Sequence, residues 1–184
     1  MRSLRVILVL VLASGAMLSY WWGQKAMEAQ ERAITETRRA VDTISREIRI
    51  RSLSENTPTN ERGWPLTIDP SWFSTMLPQN ALLDPHRPWL EVATGRELYL
   101  EHPPMRWVVD ERSSAFWYNP GLGIVRARVP VSVSDRKALD QYNRVNRSSI
   151  TALIAPIPPD LPEATLALEE EEEQSVVIRP SQGR

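Results

Sequence analysis

The chain has 184 residues, 42% of them apolar, and a formal net charge of -1. This is the profile of one domain with appendages, with no general pull toward nucleic acid or an anionic membrane surface. It has no cysteine, which excludes disulfides, thiolate zinc sites and a cysteine nucleophile together. Its 15 prolines and 7 tryptophans predict turns and short strands rather than a helical bundle.

The first element is an uncharged apolar run, residues 6–22, preceded by Arg2 and Arg5. At about 1.5 Å per residue it covers roughly 25 Å, the short end of a bilayer core. Val6, Leu8, Leu10, Leu12, Met17 and Leu18 supply the apolar surface, and Tyr20, Trp21 and Trp22 close the run. Aromatic rings suit a membrane interface, where one edge is dry and the other wet. Arginines before the run favour a cytoplasmic N-terminus over residues 1–5. The sequence thus predicts one span of the inner (cytoplasmic) membrane, with the remainder periplasmic or otherwise extracytoplasmic. A cleaved signal peptide is the alternative, with Ala13-Ser14-Gly15 as the small-residue cleavage site. The apolar run continues past that site, which favours a retained anchor.

Residues 23–54 read as an amphipathic helix continuous with the span. From Gln24 to Leu53 there is neither proline nor glycine, and Ala, Glu, Arg and Gln dominate. Met27, Ile34, Val41 and Ile48 recur every seven residues, with Ile44 beside them. They form one narrow apolar stripe, the expected packing face. Gln30, Thr37 and Arg51 at the alternate positions argue against a sustained coiled coil. The Ile44–Ile48 half is expected to pack on the following domain, leaving the N-terminal half solvated.

Residues 55–155 read as a small α+β domain. After a polar break at 54–62, short apolar runs alternate with turn signals: 89–93, 97–100, 105–109, 116–118 and 124–133. The last alternates, with Val125, Ala127, Val129, Val131 and Val133 on one side and Ile124, Arg126, Arg128, Pro130 and Ser132 on the other. That pattern predicts a strand with one wet face. Trp72, Phe73, Met76 and Leu77 fit a short helix or turn ended by Pro78. Ser134 and Asp135 cap a predicted terminal helix ending at Asn146, with Leu139, Tyr142 and Val145 on one face. Residues 156–184 are rich in proline and contain five adjacent glutamates, 169–173; they are expected to be a disordered tail.

No catalytic constellation is legible, and no cofactor or metal is called. His86 and His102, the two histidines, lie beside prolines and fit surface loops. A zinc site needs three or four convergent ligands, and neither HxxxH nor HExxH occurs. Gly121-Leu122-Gly123 lacks the later glycine and the helix of a nucleotide loop. Its structural reading is a hairpin turn, with Trp117, Tyr118, Asn119, Pro120, Gly121 and Gly123 as the turn-forming set. The tryptophans Trp64, Trp72, Trp89, Trp107 and Trp117 fit either a core or a ligand-stacking surface.

Three words in this sequence resemble the type IV pilin-like proteins, including the pseudopilins of type II secretion. Gly63-Trp64-Pro65-Leu66 lies where those proteins have a Gly-x-Pro stretch leaving the long helix. Leu77-Pro78-Gln79-Asn80-Ala81-Leu82 is similar to their LP-x-NP loop. The run from Phe116 through Trp117-Tyr118-Asn119-Pro120 to Gly123 and Val125 is similar to their aromatic hairpin. The resemblance covers roughly 6–130. It implies a long N-terminal helix packed on a small antiparallel sheet, and a structural subunit of a pilus-like or secretion-related assembly. The implied partners are other envelope or pilin-like proteins, with self-association through the N-terminal helices and no nucleic acid. The family's leader, cut between Gly and Phe or Met, and the Glu near the start of its mature helix have no counterpart here. The expected protein is therefore a non-enzymatic pilin-like domain on a plain signal anchor. The alternative is a membrane-anchored periplasmic module that binds a glycan or peptide through an exposed Trp64/Trp89/Trp117 face.

Overall fold

A computed structural model describes residues 2–74, 76–132 and 134–154; the side chains of 2–16 and 18–20 lie outside that description. The chain is α+β. A single helix, α1 (Arg2–Arg51), packs its C-terminal half on a three-stranded mixed sheet, and a second helix, α2 (Asp135–Asn146), lies against both. The strands are β1 (Leu90–Val92), β2 (Phe116–Asn119) and β3 (Ile124–Ala127), in the order β1-β2-β3. Two 3-10 turns, Pro70–Trp72 and Gly95–Tyr99, punctuate the loops. Asp69 caps the first by accepting the Ser71 N–H at 2.8 Å.

The buried face of α1 follows the heptad stripe only from Ile34 onward. Ile34, Val41, Ile44 and Ile48 are buried, together with Ala40 and Thr37. Met27, assigned to the same packing face, is 58% exposed, and the correction has a simple cause: the domain does not reach that far along α1. From Trp21 to Ala33 no residue is buried. Thr37, which looked like a polar interruption, is fully buried because its hydroxyl donates to Asn80 Oδ1 at 3.2 Å. A buried hydroxyl with a partner escapes the cost of an unsatisfied one. The helix ends at Arg51, where Ser52, Leu53 and Ser54 close the last turn by bonding to the carbonyls of Ile48, Ile50 and Arg51.

The sheet corrects the expectation of a purely antiparallel arrangement. β2 and β3 form the predicted antiparallel hairpin, with Phe116 opposite Ala127 and Asn119 opposite Ile124. β1 instead runs parallel to β2, with Leu90 beside Phe116 and Val92 beside Tyr118. The long connection from Ala93 to Ala115 supplies the crossover that a parallel pair requires. The predicted strand at 124–133 also stops early, at Ala127. Arg128, expected on the wet face, is buried; its guanidinium bonds to Glu91 at 2.9 Å and to the Ser114 carbonyl at 3.2 Å. Ala127, Arg128 and Val129 are thus buried in succession, and alternation is lost. Val131, expected inside, is 64% exposed, while Val133 lies outside the described residues.

α2 closes the outer edge of β3 with a side chain instead of a strand. Asn146 accepts the Ala127 N–H at 2.8 Å and donates to the Ala127 carbonyl at 2.9 Å. That amide reproduces one rung of the pairing a neighbouring strand would supply at Ala127. Tyr142 and Val145 are buried as the pattern predicted, while Leu139 is half-buried. On the α1 side, Arg144 pairs with Glu31 and Arg147 pairs with Asp42 at 2.7 Å. The Arg144 guanidinium holds the Glu31 carboxyl below its ordinary value.

Candidate functional site

Two of the three sequence words, at 63–66 and 116–125, meet in space around the β2–β3 turn. Asn119 Oδ1 accepts the Gly121 N–H at 2.7 Å, and its amide nitrogen donates to the Glu97 and Leu100 carbonyls. Gly123 adopts φ +66°, a region that favours glycine. The Trp64 ring covers it so closely that an added Cβ would stand 2.3 Å from a ring carbon. Gly121 faces the Leu98 carbonyl, with 2.5 Å left for a Cβ. Asn60 fastens the preceding loop to the turn by donating to the Pro120 carbonyl at 2.7 Å, and Arg62 donates to the Gly121 carbonyl at 2.8 Å. Tyr118 donates its hydroxyl to the Pro65 carbonyl at 2.7 Å, and burial pushes the phenol's pKa up.

The middle word ties α1 to the sheet. Asn80 is buried; besides accepting from Thr37 it donates to the carbonyls of Ala115 and Arg128, at 3.1 and 2.8 Å. Its three partners lie on α1, before β2 and after β3. The words that carry the resemblance therefore build the frame of the domain rather than a reaction centre. Asn60, Arg128 and Asn146 do comparable work. No sequence signal beyond an asparagine or arginine near a turn marks them.

The tryptophans do not make one exposed face. Trp117 is fully buried, its indole N–H donating to Glu97 at 3.2 Å, on the sheet face opposite Phe116 and Tyr118. Trp89 is half-buried, edge-on to Phe73 and Phe116 at 5.8 and 6.0 Å, and donates to the Pro78 carbonyl at 2.7 Å. Trp72 lies beside the Arg51 guanidinium at 5.4 Å.

His86 is exposed in a turn closed by Asp84. His102 is half-buried, with Nδ1 3.0 Å from the Tyr142 hydroxyl. Burial and the charges of Arg126 and Arg106 hold its pKa down at about 4. Among the described residues no group of three or more His, Cys, Asp or Glu could hold a metal ion.

The other surface with distinctive chemistry is the exposed aromatic segment of α1 around Trp21 and Trp22. Trp21 and Trp22 are 53% and 67% exposed and meet edge-on at 6.4 Å, and Lys25 places its ammonium 3.6 Å from the Trp21 ring. A cation resting on an aromatic pair is stable in a half-wet setting. Met17 is also exposed. The side chains of Val6, Leu8, Leu10, Leu12, Leu18 and Tyr20, called as the anchor, lie outside the described residues, as does the tail called at 156–184. Among the described residues no helix is long and apolar enough to cross a membrane. No protein-family model matches the chain, and neither a curated protein nor a solved structure is found similar to it.

Proposed function

We propose that this chain is a non-enzymatic, membrane-anchored scaffold subunit of an envelope assembly, with a pilin-like domain carried on its N-terminal helix. The observation that carries the reading is α1 itself. It is one unbroken helix from Arg2 to Arg51, and among its described side chains burial begins at Ile34. At about 1.5 Å per residue it is roughly 75 Å long, far beyond what the small domain can cover. An uncharged apolar run over residues 6–20, followed by an aromatic pair and Lys25, suits a bilayer and its interface. Met27, exposed on α1, is then available to neighbouring helices. The full burial of Trp117, with Trp64 and Trp89 half-buried, weighs against the ligand-binding alternative.

The absence of native cysteine makes the test direct. Met27→Cys, at an exposed position of α1, should cross-link between copies, or to another envelope protein, when membranes are oxidised. Glu61→Cys, on the domain, should not. Protease added to spheroplasts should digest residues 55–154. Protection of that region would overturn the orientation, and a Met27→Cys chain that stays monomeric in intact membranes would overturn the scaffold role.

A further inference from the structure

A second surface mixes charge and apolar area in a way the frame of the domain does not need. The last turns of α1 and the C-terminal end of α2 flank a groove lined by Asp42, Arg46, Arg49, Ile50, Leu53 and Arg147. Ile50 is 54% exposed and Leu53 is 87% exposed. Asp42, the acid among these residues, is already paired with Arg147 at 2.7 Å. Arg46 and Arg49 have no carboxylate within ion-pair distance among the described residues. Arg49 turns its Nε to the Ser45 carbonyl at 3.2 Å. The groove therefore combines exposed apolar side chains with neighbouring cations.

We infer that this groove is the docking site of the chain's own segment 166–173, with Leu166 and Leu168 against Ile50 and Leu53, and glutamates 169–173 against Arg46, Arg49 and Arg147. The segment is complementary in order as well as in charge: two leucines directly precede five carboxylates. Residues 155–184 carry seven acids against two arginines, so the chain concentrates its negative charge there. The path is short enough. Ile154 lies beside Trp107 and Leu139, near the start of α2, and the groove lies at its other end, a helix length of about 18 Å away. The stretch from 154 to 169 can extend to about 50 Å. Guanidinium forks match carboxylates in pairs, and partial cover by the leucines lowers the local dielectric in which they meet.

The test uses the full chain in detergent with Leu53→Cys and Glu171→Cys installed together. An intramolecular disulfide should form at least tenfold faster than in a Glu61→Cys/Glu171→Cys control, because Glu61 lies beside the hairpin turn and does not line the groove. The rate should fall to the control value in 1 M NaCl, where screening shrinks to about 3 Å. It should fall likewise when Arg46→Gln and Arg49→Gln are added. A nitroxide on Leu53→Cys alone gives an independent reading, broadening the amide signals of 169–173 more than those of 180–184. A rate within twofold of the control, indifference to salt and to the arginine substitutions, or a disulfide found only between two copies would each overturn the proposal.

Discussion

Gly123 and Gly95 separate two costs that usually arrive together. Both glycines have positive φ, +66° and +51°, so Gly→Val strains the backbone at either position by about 1–3 kcal/mol. Only Gly123 adds a collision. Its Cβ would meet three Trp64 ring atoms at 2.3 to 2.5 Å, whereas nothing lies within 4 Å at Gly95. Carbon atoms settle at about 3.5–4.0 Å, so the indole must retreat by more than 1 Å from a core it helps to cover. Overpacking of that kind adds about 1–3 kcal/mol. Gly123→Val should therefore cost about 2–6 kcal/mol and Gly95→Val about 1–3 kcal/mol, large fractions of a stability of about 5–15 kcal/mol. The assay is thermal unfolding, where each kcal/mol moves the midpoint by roughly 2–4 °C. Trp64→Ala removes the obstacle, so in that background Gly123→Val should cost no more than Gly95→Val. Strict additivity within about 0.5 kcal/mol in this cycle, or a larger loss at Gly95 than at Gly123, would refute the reasoning.

Asn146→Ala should cost about 2–5 kcal/mol in a denaturant melt, because it strands the buried N–H and carbonyl of Ala127. Ile44→Ala should cost about 2–5 kcal/mol for a cavity at a fully buried site, while Met27→Ala should change stability by less than about 0.5 kcal/mol; equal effects would place the domain boundary on α1 elsewhere. His102 has a folded pKa near 4, below its ordinary value, so the unfolded chain binds the extra proton first. Its contribution is complete above about pH 6.5 and is lost as pH falls toward 4. His102→Gln should narrow the gap between melting temperatures at pH 7 and pH 4.5, and an unchanged gap would count against that assignment.

The sequence by itself determined the elements whose cause is local. The proline-free run made α1 a helix, and the heptad of isoleucines marked the face that is buried from Ile34 onward. Asn119-Pro120 with Gly123 fixed the β2–β3 turn, since proline cannot donate to a ladder and Gly123 accepts the positive φ. The spacing of Tyr142 and Val145 located α2, although Ser134 at its N-cap makes no side-chain capping bond. Tertiary structure decided what depends on partners distant in the chain. The parallel sense of β1 came from how the connection after Val92 crosses the sheet, which no residue in β1 encodes. Arg128 broke the alternation of its strand because Glu91 and the Ser114 carbonyl were placed to receive it inside. Thr37 joined the core only because Asn80 reached it across the fold, and Asn146 became a strand edge only because α2 docked beside Ala127. A polar side chain reads as exposed in a sequence; burial becomes tolerable when folding supplies its hydrogen-bond partner, and that partner lies elsewhere in the chain.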